Sequence, residues 1–209
     1  MNWLRKLWGV AIFTLGYLLL ASVSAVLLDN SEFLFYIIVM IVLIAGVVYV
    51  HTRVKLTNGV LWMLSVWGLL HMLGGLAPVP EGWPISGENR VLYSLWFVPG
   101  LLKYDHVVHA YGFGTTTWLC WQGLRAMLSH RRGPARPTAG LAFMAAVAAL
   151  GFGALNEVVE FAATLLLPQT NVGGYINTGW DLVFNLIGAS IAACALYLFS
   201  REATPPNPP

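Results

Sequence analysis

The sequence predicts an all-α membrane protein, a polytopic bundle of about six transmembrane helices. Of the 209 residues, 58% are hydrophobic and only 10% are charged, whereas a soluble domain carries about 25% charged residues. Apolar runs of about 18 residues or more recur along the chain, and runs of that length can cross a bilayer. The nine Trp and eight Tyr residues fit the aromatic belts of membrane–water interfaces. A bilayer is therefore the expected environment.

Six runs are predicted to span the membrane, within one domain that covers residues 1–202. They cover residues 7–28, 33–50, 59–76, 105–128, 139–167 and 180–199. The Pro-rich end, residues 203–209, is predicted to be disordered. The connection 77–104 is too long for a simple turn, and its apolar part 91–98 is too short to span. We expect that part to form an interfacial or re-entrant segment on the outer side.

The first run leaves two interpretations open. Arg5 and Lys6 precede a short apolar core and the small-residue stretch 21–25, which is the pattern of a cleavable signal peptide. The apolar run continues through Leu28, which favours an uncleaved anchor.

Lys and Arg are distributed unevenly between the two sets of connections. With the N-terminus inside, two of them, Arg90 and Lys103, lie outside and nine lie inside. The nine are Arg5, Lys6, Arg53, Lys55, Arg125, Arg131, Arg132, Arg136 and Arg201. This bias predicts that both termini lie in the cytoplasm. The net charge of +2 does not suggest a nucleic-acid partner, and membrane lipids are the expected partners.

A few ionisable side chains lie within the predicted spans, all in the outer half or at the outer rim. Each such residue costs about 2.5–3.5 kcal/mol at a helix centre on insertion scales, so each is a candidate functional residue. They are His71, Asp105, His106, His109, Glu157, Glu160 and Asp181. From the helical rise, His109 lies about 6 Å and Glu160 about 10 Å below the rim, which is a similar depth.

Three spans carry polar residues three or four positions apart, which places each pair on one helix face. The pairs are Asp105 with His109, Glu157 with Glu160, and Asp181 with Asn185. Converging pairs would form a site for a hard or borderline divalent cation of unspecified identity. The expected ligands are His109, Glu160, Asp105 and His106. A proton shared between carboxylates is the alternative, typical of a relay or an acid/base catalyst.

Structural roles compete with function at the rim. Asp105 begins a helix and can stabilise its N-terminal dipole. Asp181 follows Thr178 by three residues, the spacing of a capping box. Glu157 and Glu160 have no such explanation, because they lie deep in a run that contains no Lys or Arg.

Small residues adjoin each polar pair and allow helices to approach closely in lipid. They lie at 112–114, 151–154 and 188–190. The glycine-rich segment 169–180 is predicted to lie over the site, as a lid, a headgroup contact or an interfacial turn. The candidate substrate-binding residues are Asn185, Asn156 and Tyr175.

The three motifs together resemble those of VanZ-like and YjdF-like bacterial membrane proteins, in order and spacing, over residues 103–193. They read Asp105-x-x-x-His109, Glu157-x-x-Glu160 and Asp181-x-x-x-Asn185-x-x-Gly188-Ala189. Glu160 is closer to the YjdF-like pattern, because the VanZ-like pattern usually has Gln there, whereas Asn185 leans the other way. The resemblance implies an inner-membrane protein of the cell envelope. VanZ-like proteins are associated with low-level teicoplanin resistance, and a chain that mixes both patterns does not inherit that role.

These residues favour a metal-assisted hydrolase or transferase that acts on a lipid or lipid-linked envelope substrate. Its working residues would be Glu157, Glu160, His109 and Asp181, with one carboxylate as general base. One alternative is a proton- or cation-coupled transporter that uses the Glu157/Glu160 pair, although no inverted repeat or broken-helix pair is evident. A non-catalytic scaffold is the other.

Overall fold

The computed structural model of the chain describes residues 2–132, 135–168 and 170–202. Six α-helices make up most of this part: α1 (Asn2–Leu27), α2 (Ser31–Val54), α3 (Asn58–Leu76), α4 (Tyr104–Arg132), α5 (Ala139–Leu166) and α6 (Tyr175–Glu202). The prediction of an all-α helical bundle is confirmed. The predicted disordered tail, residues 203–209, lies outside the described residues, as does Gln169.

In the part of the chain that the structure describes, five helices are long and apolar enough to cross a membrane, where six spans were predicted. They include Leu7–Leu27 of α1, all of α2, α3 and α5, and Tyr175–Phe199 of α6. The other helix, α4, has 29 residues and would extend about 43 Å, but it is less apolar. It packs against α3, α5 and α6 and buries polar residues such as Thr115 and Thr117. Because α4 is enclosed by other helices, it needs little apolar surface toward lipid, and its span stays a prediction.

The start of α6 corrects one sequence interpretation. The helix begins at Tyr175, five residues before the predicted boundary at Trp180. Asp181 therefore lies in the second turn of the helix, and it is 1% exposed. A capping box formed by Thr178 and Asp181 is wrong, because both residues are inside the helix.

Three connections meet at one end of the bundle, which we call the site end. They are residues 28–30, residues 77–103 and the described residues of the α5–α6 connection, 167–168 and 170–174. The backbone N–H of Asn171 donates to Glu32 Oε2 at the start of α2 (2.8 Å), and Asn89 Nδ2 donates to Asn171 Oδ1 (2.9 Å). These two bonds link the α5–α6 connection to the first turn of α2 and to the α3–α4 connection.

The α3–α4 connection folds into a small cap on the site end. It contains a 3-10 turn at Leu92–Ser94 and a two-stranded antiparallel hairpin, β1 (Trp96–Val98) and β2 (Leu102–Lys103). Gly100 turns the hairpin with a φ of +73°, a left-handed conformation that glycine adopts without strain. The apolar stretch predicted as interfacial or re-entrant is thus a turn and a strand, and this fold fixes Tyr93 and Lys103 beside the helix bundle.

Helices α4 and α6 approach each other closely at Gly188. A Cβ added there would lie 1.9 Å from the backbone oxygen of Ala110. Gly153 of α5 is similarly tight, because its Cβ would lie 2.9 Å from Asn185 Nδ2. Of the small residues noted in the sequence, Gly153 and Gly188 therefore allow close approach beside the polar pairs, whereas a Cβ added at Gly151 would meet nothing within 4 Å.

We predict that Gly188→Ala destabilises the protein, because the added methyl group must push α6 away from the α4 backbone. Overpacking of this kind costs about 1–3 kcal/mol, so the thermal midpoint in detergent should fall by several degrees. The matched control is Gly151→Ala on α5, where a Cβ would meet nothing within 4 Å. An unchanged midpoint for Gly188→Ala would contradict the close α4–α6 packing.

Candidate functional site

His109 is the centre of the polar cluster. It lies in the second turn of α4 and is 3% exposed. Its Nε2 lies 3.5 Å from Asp105 Oδ1, one turn earlier on α4, and 3.9 Å from Asp181 Oδ1 on α6. The first contact follows from the i, i+4 spacing, and the second follows from the close α4–α6 packing.

The other ring nitrogen of His109 fixes the orientation of the imidazole. Nδ1–H donates a hydrogen bond of 3.0 Å to Asn185 Oδ1 on α6. An amide oxygen only accepts, so the proton of the neutral ring lies on Nδ1. Nε2 then presents a lone pair toward the carboxylates of Asp105 and Asp181. A cation between these groups, either a proton or a metal ion, would stabilise such an arrangement.

Glu157 and Glu160 reach the same histidine from α5. Ligand atoms of His109, Glu157 and Glu160 lie within 4.8 Å of one another, as do those of Asp105, His109 and Asp181. Asn156 Nδ2 donates to Glu160 Oε1 (2.9 Å). The sequence-predicted pairs on three helices are thus brought together around one imidazole.

Several polar atoms in this cluster are buried without a hydrogen-bond partner among the described residues. They include Asp181 Oδ1, both carboxylate oxygens of Glu157, and Asn185 Nδ2. Buried polar groups almost always have a partner, and an unpartnered one costs about 1–3 kcal/mol. Since Asp181 is 1% exposed and Asn185 is fully buried, these atoms make the cluster a candidate site for a bound group.

A polar bridge at the rim orients the two aspartates. Lys103 Nζ lies 3.4 Å from Asp105 Oδ2 and donates to Asn177 Oδ1, and Asn177 Nδ2 donates to Asp181 Oδ2 (2.6 Å). One oxygen of each aspartate is therefore held by the bridge, while the other faces His109. Neither Lys103 nor Asn177 was singled out from the sequence, although Asn177 lies one helical turn before Asp181 and Lys103 two residues before Asp105.

His106 belongs to a different environment from the one predicted for a metal ligand. Its Nδ1 accepts a hydrogen bond from the backbone N–H of Lys103 (3.2 Å). Its ring stacks on Phe184 at 4.3 Å, with Trp96 and Trp180 nearby. Among the described residues, neither His/carboxylate cluster contains His106. The structure favours an aromatic packing role.

Two other candidates are also explained by their surroundings. Tyr175 was a candidate for substrate binding, and its side chain is 90% exposed at the start of α6, apart from the buried cluster. His71 Nδ1 forms a hydrogen bond with the hydroxyl of Tyr93. Burial raises the pKa of Tyr93 well above its usual value. The phenol therefore stays protonated, and its O–H donates a hydrogen bond to His71.

A cavity of about 690 Å³ adjoins the cluster. Lys103, Asp105, His109, Asn156 and Glu160 line it near the site end. Residues 170–173 of the α5–α6 connection also line it, which agrees with the predicted position of this segment over the site. Asp181 and Asn185 contact His109 but do not line the cavity.

We predict that Asn185→Ala lowers stability by about 1–3 kcal/mol, because His109 Nδ1–H would be buried without an acceptor. The thermal midpoint of purified protein in detergent measures this. Tyr175→Ala, on the same helix but exposed, should change stability by less than about 0.5 kcal/mol. Equal midpoints for the two variants would show that the His109–Asn185 bond has no structural weight.

Comparison with known proteins places most of the chain in one family. The family described as "Predicted membrane protein (DUF2238)" matches residues 7–202. This supports a membrane protein family of unknown function, and it does not carry the VanZ-like or YjdF-like name. No curated protein and no solved structure matches the chain.

Proposed function

The chain belongs to the DUF2238 family of predicted membrane proteins, and we propose that it is a metal-dependent hydrolase or transferase. Its substrate would be a lipid or lipid-linked molecule of the cell envelope, reached from the outer face of the bacterial inner membrane. Arg53 and Lys55 join α2 to α3 at the end of the bundle opposite the site end. The positive-inside rule therefore supports a site end that faces outward and termini that face the cytoplasm.

The observation that carries this proposal is the convergence of three buried ligand atoms. His109 Nε2 lies 3.5 Å from Asp105 Oδ1 and 3.9 Å from Asp181 Oδ1. With metal–ligand bonds of about 2.1 Å, ligands of a tetrahedral ion lie about 3.4 Å apart. The separations are therefore close to those that one ion would impose after a small inward shift.

The neighbouring residues resemble the supporting shell of a metal site. Metal-binding imidazoles usually donate their second N–H to a nearby oxygen, which fixes the ring, and His109 does this with Asn185. The Lys103–Asn177 bridge holds the outer oxygens of both aspartates. One nitrogen with two carboxylates suits a hard or borderline divalent ion.

Glu160 has the position expected of a general base. It lines the cavity together with Asp105 and His109, and it lies near His109. An ion held by His109 and the two aspartates would make a bound water acidic enough to lose a proton. Glu160 would accept that proton, and Glu157 would complete the negative wall around the ion.

A proton- or cation-coupled transporter remains the second candidate. The carboxylate of Glu157, which has no hydrogen-bond partner among the described residues, favours it, because a buried carboxylate that binds and releases a proton is the core of a proton relay. Liposomes that contain the protein would then show proton or cation flux that Glu157→Gln abolishes. A scaffold would show neither bound metal nor flux.

We predict that the purified protein binds about one divalent ion per chain, measured by elemental analysis for Zn, Mn, Fe, Mg and Ca. His109→Gln and Asp181→Asn should lose it, because each removes a ligand. Glu88→Gln, which changes an exposed carboxylate in the α3–α4 connection, is the control. Folded wild-type protein that takes up none of these ions would refute the metal site.

A further prediction separates the base from the ligands. Glu160→Gln should keep the ion but reduce the release of water-soluble products from an envelope lipid extract by about 10²-fold or more, the usual contribution of a general base. Loss of the ion in this variant would instead make Glu160 a ligand, as the sequence suggested.

A further inference from the structure

The cavity runs along almost the whole of α2. Glu32 in its first turn and Thr52 near its end both line the cavity, and the helix between them is about 30 Å long. That length equals the hydrocarbon thickness of a bilayer, of which one leaflet is about half. The cavity can therefore hold a lipid chain that extends past the bilayer midplane. The acyl chains of an ordinary phospholipid end near the midplane and would fill only about half of this length.

The walls away from the site end are largely apolar. Val10 and Ala11 of α1, Leu43 and Val47 of α2, and Leu64 of α3 are among the lining residues. Most of the polar lining residues lie toward the site end, beside His109, and His51 and Thr52 line the far end. A cavity with one polar end and a long apolar groove matches a lipid that has a small headgroup and one long tail.

The charges at the site end determine which headgroup fits. Among the described residues that line the cavity, Lys103 is the only Lys or Arg, whereas Glu32, Asp105 and Glu160 are acidic. Two of the three donors of the Lys103 ammonium point to Asp105 and Asn177, which leaves one donor for a ligand. The three carboxylates would repel an anion. An anionic headgroup could therefore bind only where Lys103 and a metal ion offset their negative charge.

We propose that the cavity binds a long-chain polyisoprenyl phosphate. Its tail lies in the groove between α1, α2 and α3, and its phosphate contacts Lys103 and the ion at His109. The headgroup part rests on the proposed function, because it needs the ion. The tail part does not, because it depends only on the groove.

Blocking the far part of the groove tests the tail. Val47→Trp would fill the groove about 22 Å from Glu32. Val42→Trp, on the same helix, is the matched control, because Val42 is 64% exposed and does not line the cavity. Ala11→Trp is a second blocking variant on α1, for use if Val47→Trp does not fold.

The measurement is equilibrium binding of radiolabelled ligands to the protein in phosphatidylcholine nanodiscs with the divalent ion present. The ligands are a long-chain polyprenyl phosphate, its alcohol, geranyl phosphate and phosphatidylglycerol. Val47→Trp should weaken binding of the two long-chain ligands about tenfold or more and leave geranyl phosphate unchanged. Lys103→Gln should weaken both prenyl phosphates but not the alcohol, and Lys103→Arg should restore part of the loss.

The proposal is overturned if phosphatidylglycerol binds as well as the long-chain phosphate, or if neither blocking variant affects the long-chain ligands. Binding of the alcohol distinguishes the groove proposal from the metal-dependent function, because the alcohol has the long tail but no phosphate to contact the ion. If the protein binds no metal but Val47→Trp still blocks the alcohol, the metal-dependent function fails and the groove assignment stands. If metal binds normally and neither blocking variant affects the long-chain ligands, the groove assignment fails alone.

Discussion

The structure depends on how the bundle accommodates one imidazole surrounded by carboxylates. His109 faces Asp105 and Asp181 in one cluster and Glu157 and Glu160 in another. Ionised carboxylates repel each other strongly where water is excluded, and Lys103 supplies one positive charge at the rim. A cation bound among the carboxylates, either a proton or a metal ion, would offset the remaining repulsion. The α4–α6 contact at Gly188 and the Asn185 bond to His109 hold the cluster in this form.

This constraint also explains the unusual composition of α4. The helix carries the central histidine and a run of buried threonines, so it is less apolar than the other five helices. The polar surface is tolerated because α3, α5 and α6 enclose it, and because Thr116 and Thr117 donate to carbonyl oxygens one turn earlier (2.9 and 2.8 Å). The hairpin cap covers its N-terminal end and positions Lys103. Hydropathy alone therefore understates how deeply this helix lies in the protein.

The helices and the convergence of the three polar pairs could be predicted from the sequence, because both follow from helical periodicity and rise. His106 was predicted as a metal ligand, whereas its ring stacks on Phe184 of α6 and neither His/carboxylate cluster of the described residues contains it. That contact joins two helices, so spacing along α4 could not reveal it. The early start of α6 was hidden by a Gly- and Asn-rich segment that is typical of loops. The Lys103–Asn177 contact joins residues far apart in sequence, so only the packing of α4 against α6 reveals it.

The central claim is that the cation beside His109 is a metal ion rather than a proton. The most direct test is a diffraction experiment on protein crystals grown with Mn²⁺, with an anomalous map calculated near the metal edge. We expect one peak about 2.0–2.3 Å from His109 Nε2 and in contact with Asp105 and Asp181. An empty map at this position, with His109 hydrogen-bonded directly to Asp105, would identify a proton-mediated cluster and contradict the metal site.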